Sequence, residues 1–376
     1  MKIILAFDSF KGSLSAPQAC AAAAEGLARL ASPPQVVQCP LSDGGEGFAQ
    51  TIREAAGGDV LAIEVAGPLF EPEHAEVTLL DGGETAVIEA AQACGLHLVP
   101  AAQRNPLKTT TFGVGEMMAA AVAAGATQLI IGIGGSATND AGMGMLAALG
   151  WRFFDENDRE LSPVGASLAT VQRIEPGNRL DNISLTVACD VTNPLFGPHG
   201  AACTFAPQKG AGPAGVAELD AGLRHFARVS ADVLGRDLAE CPGAGAAGGL
   251  GYALRAFLGA EYRPGAEIAI TLSHLRAHLH GADLCITGEG QTDAQTAYGK
   301  LPAAVAACCQ RAGVPCVCLS GALVAGWREL YQCGFTALFS TSQRPQPLDS
   351  ALAEAQPAVA DAAEAVARLF IGGKTH

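Results

Sequence analysis

The sequence has few aromatic residues, few basic residues and no long apolar run, and each scarcity excludes something. Aromatics make up 5% of the 376 residues, with Trp at 2 and Tyr at 4, while 46 residues are Gly and alanines recur throughout. Helices are therefore expected to pack closely through small side chains. Only 23 Lys and Arg face 37 Asp and Glu, for a net charge of −14. That balance excludes a nucleic-acid or anionic-membrane surface, both of which need clustered cations, and leaves a small molecule as the expected partner. No stretch reaches the ~20 apolar residues of a membrane span. Met1-Lys2 runs straight into an apolar strand pattern, so no signal peptide is expected and the expected location is cytoplasmic. No C-x-x-C pair occurs among the 12 cysteines. Several cysteines sit inside apolar strand patterns, such as Cys285 in ADLCITG and the alternating Cys316 and Cys318 in VPCVCLSG. Buried, reduced thiols are the expectation, ahead of metal or redox use.

Two nucleotide motifs are absent or incomplete. No G-x-x-x-x-G-K-[ST] exists, because Gly299-Lys300 is followed by Leu301 and the nearest upstream glycine is Gly290; P-loop chemistry is unsupported. Gly132-x-Gly134-x-x-Ala137, with Asp155 about 20 residues on, fits a relaxed dinucleotide fingerprint and keeps an NAD(P)-dependent oxidoreductase as a rival. Against it, Asn139 and Asp140 stand where a carboxylate would repel a pyrophosphate. His274, His278 and His280 lack the glutamate or cysteine that would complete a zinc set and read as a solvated helix end. His199, in GPHGAA, is expected near a ligand because of its glycine context.

What is present centres on Gln128 to Gly150, QLIIGIGGSATNDAGMGMLAALG. The pattern predicts a buried parallel strand, a glycine turn and a small-residue helix over 141–149 whose open N–H groups suit an anion. The same Ser, Thr, Asn and Asp are also the favoured helix caps, so a purely structural role stays open. Elsewhere, strands are predicted at Lys2–Phe7, Gln35–Leu41, Ala282–Gly288, Val314–Gly321 and Phe335–Ser340, with a closing helix over 348–369. From Asp59 the apolar residues alternate in short runs, which reads as antiparallel or mixed sheet. The resulting fold class is α/β: a five-stranded doubly wound parallel sheet from residues 1–65 and 282–376, with a second mixed α/β domain, residues 66–281, inserted into it. Four strand ends share one composition, Asp8/Lys11, Asp43/Glu46, Asp190/Asn193 and Glu289/Asp293. They predict a carboxylate-lined cleft suited to Mg²⁺. Lys11, Lys209 and Lys300, each beside glycine, could offset phosphate charge.

Seven segments, DSFKGSLSA (8–16), PLSDGGEG (40–47), TTTFGVGE (109–116), GIGGSATNDAGMG (132–144), CDVTNPLFGPHGA (189–201), APQKGA (206–211) and ITGEGQTDAQTAYGK (286–300), resemble the signature segments of the bacterial glycerate kinase type-1 family, in order along nearly the whole chain. The resemblance implies a flavodoxin-like domain, a second α/β domain and ATP- and Mg²⁺-dependent phosphorylation of D-glycerate in glyoxylate and sugar-acid catabolism. The preferred product is 2-phosphoglycerate, with 3-phosphoglycerate as the alternative. Phosphoryl transfer needs positioning, a metal, cations and a base near the attacking hydroxyl. On that chemistry Asp190 is the expected base, with Asp293 the second choice, and Asp43 and Glu289 serve Mg²⁺. Lys11 is assigned to the transferring phosphoryl group. Gly134, Gly135, Ser136 and Thr138 are assigned to ATP phosphates or the glycerate carboxylate. Asp8, Ser9, Ser13, Gly44, Gly45, Asn139, Asn193, Lys209, Gln291 and Thr292 complete the expected substrate and ATP contacts. A homodimer is compatible with this reading. A non-catalytic sugar-acid sensor is the remaining rival, and it would have no need of so many carboxylates.

Overall fold

The computed structural model describes residues 1–45, 47–294, 296 and 300–374. In chain order its strands are β1 (Lys2–Phe7), β2 (Gln35–Gln38), β3 (Asp59–Ala66), β4 (Pro72–Leu80), β5 (Thr85–Glu89), β6 (Gln128–Gly132), β7 (Arg152–Phe154), β8 (Arg173–Glu175), β9 (Ser184–Ala188), β10 (Glu261–Arg263), β11 (Leu284–Thr292), β12 (Cys316–Leu323) and β13 (Ala337–Ser340). Two compact units contain them. One comprises Met1–Asp43, Gln50–Gly57 and Gly265–His376, the other Gly44–Ala49 and Gly58–Pro264. No helix among the described residues is long and apolar enough to cross a membrane.

The first unit holds a five-stranded sheet in the order β2-β1-β11-β12-β13, parallel throughout. Counted within the unit, the strand order is 2-1-3-4-5, an arrangement whose ligands bind beyond the strands' carboxyl ends. Burial on both faces explains why KIILAF is continuously apolar. Ile4, Ala6, Cys285 and Cys316 enter one core, whereas Ile3, Leu5, Leu284, Ile286 and Val317 enter the other.

The helix Ala16–Ala28 starts where its caps dictate: Ser15 and Gln18 form a reciprocal capping box, with proline in the first turn. It lies directly on the last helix, Ala355–Lys374, and a Cβ at Gly26 would sit 1.9 Å from Ala360 O. Close packing through small side chains is thus realised here. The closing helix is two helices, Leu348–Ala353 and Ala355–Lys374, where the periodicity alone had read one.

The second unit carries a six-stranded sheet, β10-β9-β6-β5-β4-β3. β3, β4 and β5 pair antiparallel, and β5, β6, β9 and β10 pair parallel, as the change from alternating to continuous apolar runs requires. β7 and β8 form a separate hairpin. β3 hydrogen-bonds in this sheet, and the helices Gly265–Leu272 and Leu275–His278 fall in the first unit. The change of texture at Asp59 therefore marks the start of the second sheet.

Candidate active site

Three strands of the first unit carry carboxylates to one edge. Asp8 follows β1 directly, and its N–H donates to Gly288 O at 3.0 Å. Because Phe7 is in register with Gly288, Asp8 and Glu289 stand at the same level on neighbouring strands. Leu41 N–H donates to Phe7 O at 2.9 Å, which carries the β2 path alongside β1 and brings Asp43 to the same edge. Glycine permits the crowding at that edge: a Cβ at Gly290 would lie 3.2 Å from Lys11 N, and one at Gly321 would lie 2.4 Å from Gly290 O.

Electrostatics identify this edge as unusual. Burial, then the charge of Asp43, and to a smaller degree Glu289, push the Asp8 carboxyl up to about 7, against the Ser9 N–H it accepts and the Lys11 ammonium. Glu289, 7% exposed, is also raised by burial. Its Oε1 accepts from Thr292 Oγ1 at 3.0 Å and Thr296 Oγ1 at 2.8 Å, and these bonds pull partly the other way. Asp293 accepts from Thr296 N at 3.3 Å and pairs with Lys300 at 3.7 Å. Lys11 and Gln291 are exposed, Ser9 is half-buried, and Ser13 closes its own turn by donating to Phe10 O at 3.0 Å. Glu46, read with Asp43 as one strand end, lies outside the described residues, as does Gly299.

The second unit holds the other predicted residues in a different state. The helix after β6 is Met143–Ala148, not 141–149, because Ala141 and Gly142 take positive φ. Its N–H groups are occupied. Asp140, fully buried, accepts from Thr111 N (2.8 Å), Thr111 Oγ1 (2.8 Å), Gly142 N (3.2 Å) and Gly144 N (3.1 Å). Thr111 Oγ1 in turn accepts from Met145 N at 2.9 Å. The anion site read at this helix start is thereby corrected: an internal carboxylate already sits there, and the capping role prevails. Burial raises Asp140 and its four donors oppose the rise.

Beside it, Lys209 is 3% exposed and donates to Ser136 Oγ at 2.9 Å and Thr138 O at 2.7 Å. Burial pulls its ammonium down to about 8. Thr138 and Asn139 are fully buried, and among the described residues the Asn139 amide atoms and Thr138 Oγ1 meet no hydrogen-bond partner. Gly134 N–H donates to Gly44 O at 3.3 Å, and a Cβ at Gly134 would lie 2.9 Å from that oxygen. Gly45 lies within 3.1 Å of the same point, and Gly135 is exposed with φ +75°. Asp190 is exposed two residues past β9, and Asn193 Nδ2 donates to His199 O at 2.7 Å. His199 itself is exposed.

The structure therefore gathers Asp8, Asp43, Glu289 and Lys11 with Thr292 and Asp293 in one unit. It gathers Ser136, Thr138, Asn139 and Lys209 in the other. Sequence reasoning missed three groups: Thr296, the second donor to Glu289; Thr111, which joins Asp140; and Glu89, 4% exposed, which accepts from Gly47 N (3.0 Å) and Ala49 N (3.4 Å). The available signal for Glu89 was an acid ending an apolar strand, VIE. The dinucleotide fingerprint does not hold. Asp155 is half-buried in the turn after β7, accepting from Asn157 N and Arg159 N, and β7 is not a neighbour of β6 in the sheet. A ribose-binding acid would need that neighbouring place.

The crowded, hard-oxygen donors Asp8, Asp43 and Glu289 fit Mg²⁺, which favours carboxylates with retained water. Their mutual repulsion, visible in the raised Asp8, is what a divalent cation would relieve.

Comparison with known proteins agrees along the whole chain. Residues 3–371 match the model of the "Glycerate kinase family". The glycerate kinase of Halalkalibacterium halodurans is 43% identical over 368 residues, covering 97% of each chain. The glycerate 2-kinase of Escherichia coli K12 is 44% identical over 354 residues, 93% of each chain. A crystal structure from Salmonella typhimurium LT2, assigned to glycerate kinase 2, superposes with a TM-score of 0.89 at 42% identity over 100% of both chains. With a mixed α/β fold, two sheets in the same chain and matches of this extent, the chain belongs to the glycerate kinase family.

Proposed function

We propose that the protein transfers the γ-phosphoryl group of ATP to the 2-hydroxyl of D-glycerate in a Mg²⁺-dependent reaction, giving 2-phosphoglycerate and ADP. The observation that carries this reading is the Asp8, Asp43 and Glu289 cluster at the carboxyl edge of a parallel sheet, in a chain of the glycerate kinase family. The E. coli relative's designation as a 2-kinase supports the regiochemistry. Asp43 and Glu289, with Asp8 beside them, would hold Mg²⁺, which when bound offsets the charge of the phosphates. Lys11, exposed on the loop after β1, supplies a mobile cation for the transferring group. Asp190 accepts the proton of the attacking hydroxyl, with Asp293 as the second choice, restrained by its pairing with Lys300. Lys209, Ser136, Thr138 and Asn139, with Gly134, Gly135, Gly44, Gly45, Ser9, Ser13, Asn193, Gln291 and Thr292, are assigned to substrate and nucleotide contact. The discontinuous first domain and the inserted second domain belong to the same proposal, as does a location in the cytoplasm.

The test is incubation with D-glycerate, ATP and Mg²⁺, with the product resolved by ³¹P NMR. A 2-phosphoglycerate resonance is expected, and a 3-phosphoglycerate resonance would overturn the regiochemistry while keeping the kinase. Unchanged ATP would sink the proposal.

A further inference from the structure

Strand register decides the relation of three cysteines that lie 24 and 7 residues apart in the sequence. Cys285 on β11 is directly opposite Cys316 on β12, so both side chains point to the same face of the parallel sheet. The helix Leu301–Ala312 covers that face and buries Leu301, Val305, Ala306, Cys308 and Cys309. Cys309 completes a triangle: the three Sγ atoms lie within 4.8 Å of one another, and each residue is 0% exposed.

The geometry points to a soft-metal site: we propose that Cys285, Cys309 and Cys316 bind one thiophilic divalent d¹⁰ cation. A Zn–S bond of about 2.3 Å in a three-sulfur set places the sulfurs about 4 Å apart, inside the 4.8 Å that bounds the observed triangle. Thiolate sulfur selects soft ions over Mg²⁺, which separates this site from the hard oxygens of Asp8, Asp43 and Glu289. The set is one ligand short of a closed structural zinc site, which favours ions that accept three sulfurs. The core around it is apolar, with Val305, Val314, Leu330 and Phe335 in the same cluster. Binding in that core releases the three thiol protons to solvent, because the thiolate is the form that ligates, and the bound ion offsets two of the three negative charges. Such an ion ties β11, β12 and the covering helix together, and β11 runs on from Cys285 to Glu289. Its role is to brace the strand that presents the carboxylate edge.

The probe is Cd²⁺ titrated into the reduced full-length chain carrying Cys203→Ser, because Cys203 is exposed and would bind soft ions on its own. Expected results are an ultraviolet sulfur-to-cadmium charge-transfer band saturating at one ion per chain and a raised Tm. Oxygen-bound cadmium gives no such band, so occupancy of the carboxylate cluster cannot imitate it. Cys309→Ser should weaken binding by ~100-fold or more, while Cys308→Ser, its buried neighbour outside the triangle, should leave the band intact. No band, or a band that persists undiminished in Cys309→Ser, overturns the proposal. Should Cys309→Ser fail to fold, the ¹¹³Cd resonance of the Cys203→Ser chain decides alone: a three-sulfur shift supports the site, and an oxygen or single-sulfur shift refutes it.

Discussion

The two units treat buried charge in opposite ways. Around Asp140 the chain supplies four donors to one carboxylate, and one of the four is the Gly144 N–H in the first turn of a short helix. Around Asp8 the chain sets a second and a third carboxylate beside the first, and its proton affinity rises to about 7. A satisfied buried charge fixes a local conformation; a crowd of like charges costs stability and persists where a cation is to be bound. The sequence composition of the two places is similar, so the environment makes the difference.

The sharpest way to break this contrast is to remove charge from each side. Asp190→Asn, which tests the proposed base, should lower kcat by about 10²–10⁴-fold with the fold unchanged, and near-full turnover would discard that role. Asp43→Asn or Glu289→Gln should lower kcat/KM by roughly 10²-fold and raise the Mg²⁺ concentration needed for half-maximal rate. An unchanged Mg²⁺ dependence would remove these residues from the metal. Asp140→Asn, in contrast, should cost about 2–4 kcal/mol of stability, because an amide donor would face N–H and O–H groups that now have an acceptor. Urea denaturation measures it, and a loss below ~1 kcal/mol would break the comparison.

The smallest effect has a distinctive sign. The Asp8 carboxyl is raised from its ordinary 3.8 to about 7 in the folded chain, so between those values the folded state holds more protons than the unfolded one. Stability associated with this group is present below pH ~4 and is lost as pH rises through ~7. Asp8→Asn should therefore match the parent at pH 4 and, without divalent ions, raise Tm by roughly 1–3 °C at pH 8 while lowering activity. Saturating Mg²⁺ should reverse the order at pH 8. A variant less stable than the parent at pH 8 without metal would contradict the account of Asp8.

Much of the first sheet was legible because burial on both faces leaves a continuous apolar run, as in KIILAF and ADLCITG. Turn residues gave the strand ends, and with them Asp8, Asp43 and Glu289. The helix after β6 was legible only approximately: its start depends on left-handed conformations at Ala141 and Gly142, and on Thr111, 29 residues upstream of Asp140. Glu89 was missed for a related reason, since an acid at the end of an apolar strand carries no mark of the N–H groups at Gly47 and Ala49 that it will meet.

The sequence by itself determined the α/β class, the continuous and alternating strands, the capping of the first long helix and the set of acid-bearing strand ends. Each of these rests on interactions between residues close in the chain, or on simple periodicity. Only the tertiary structure decided that Asp8 and Glu289 stand level on adjacent strands, that Asp140 is consumed as a cap and that Cys285, Cys309 and Cys316 meet. Those outcomes depend on the register of parallel strands joined by long crossovers, and a shift of one residue in that register would send each side chain to the opposite face.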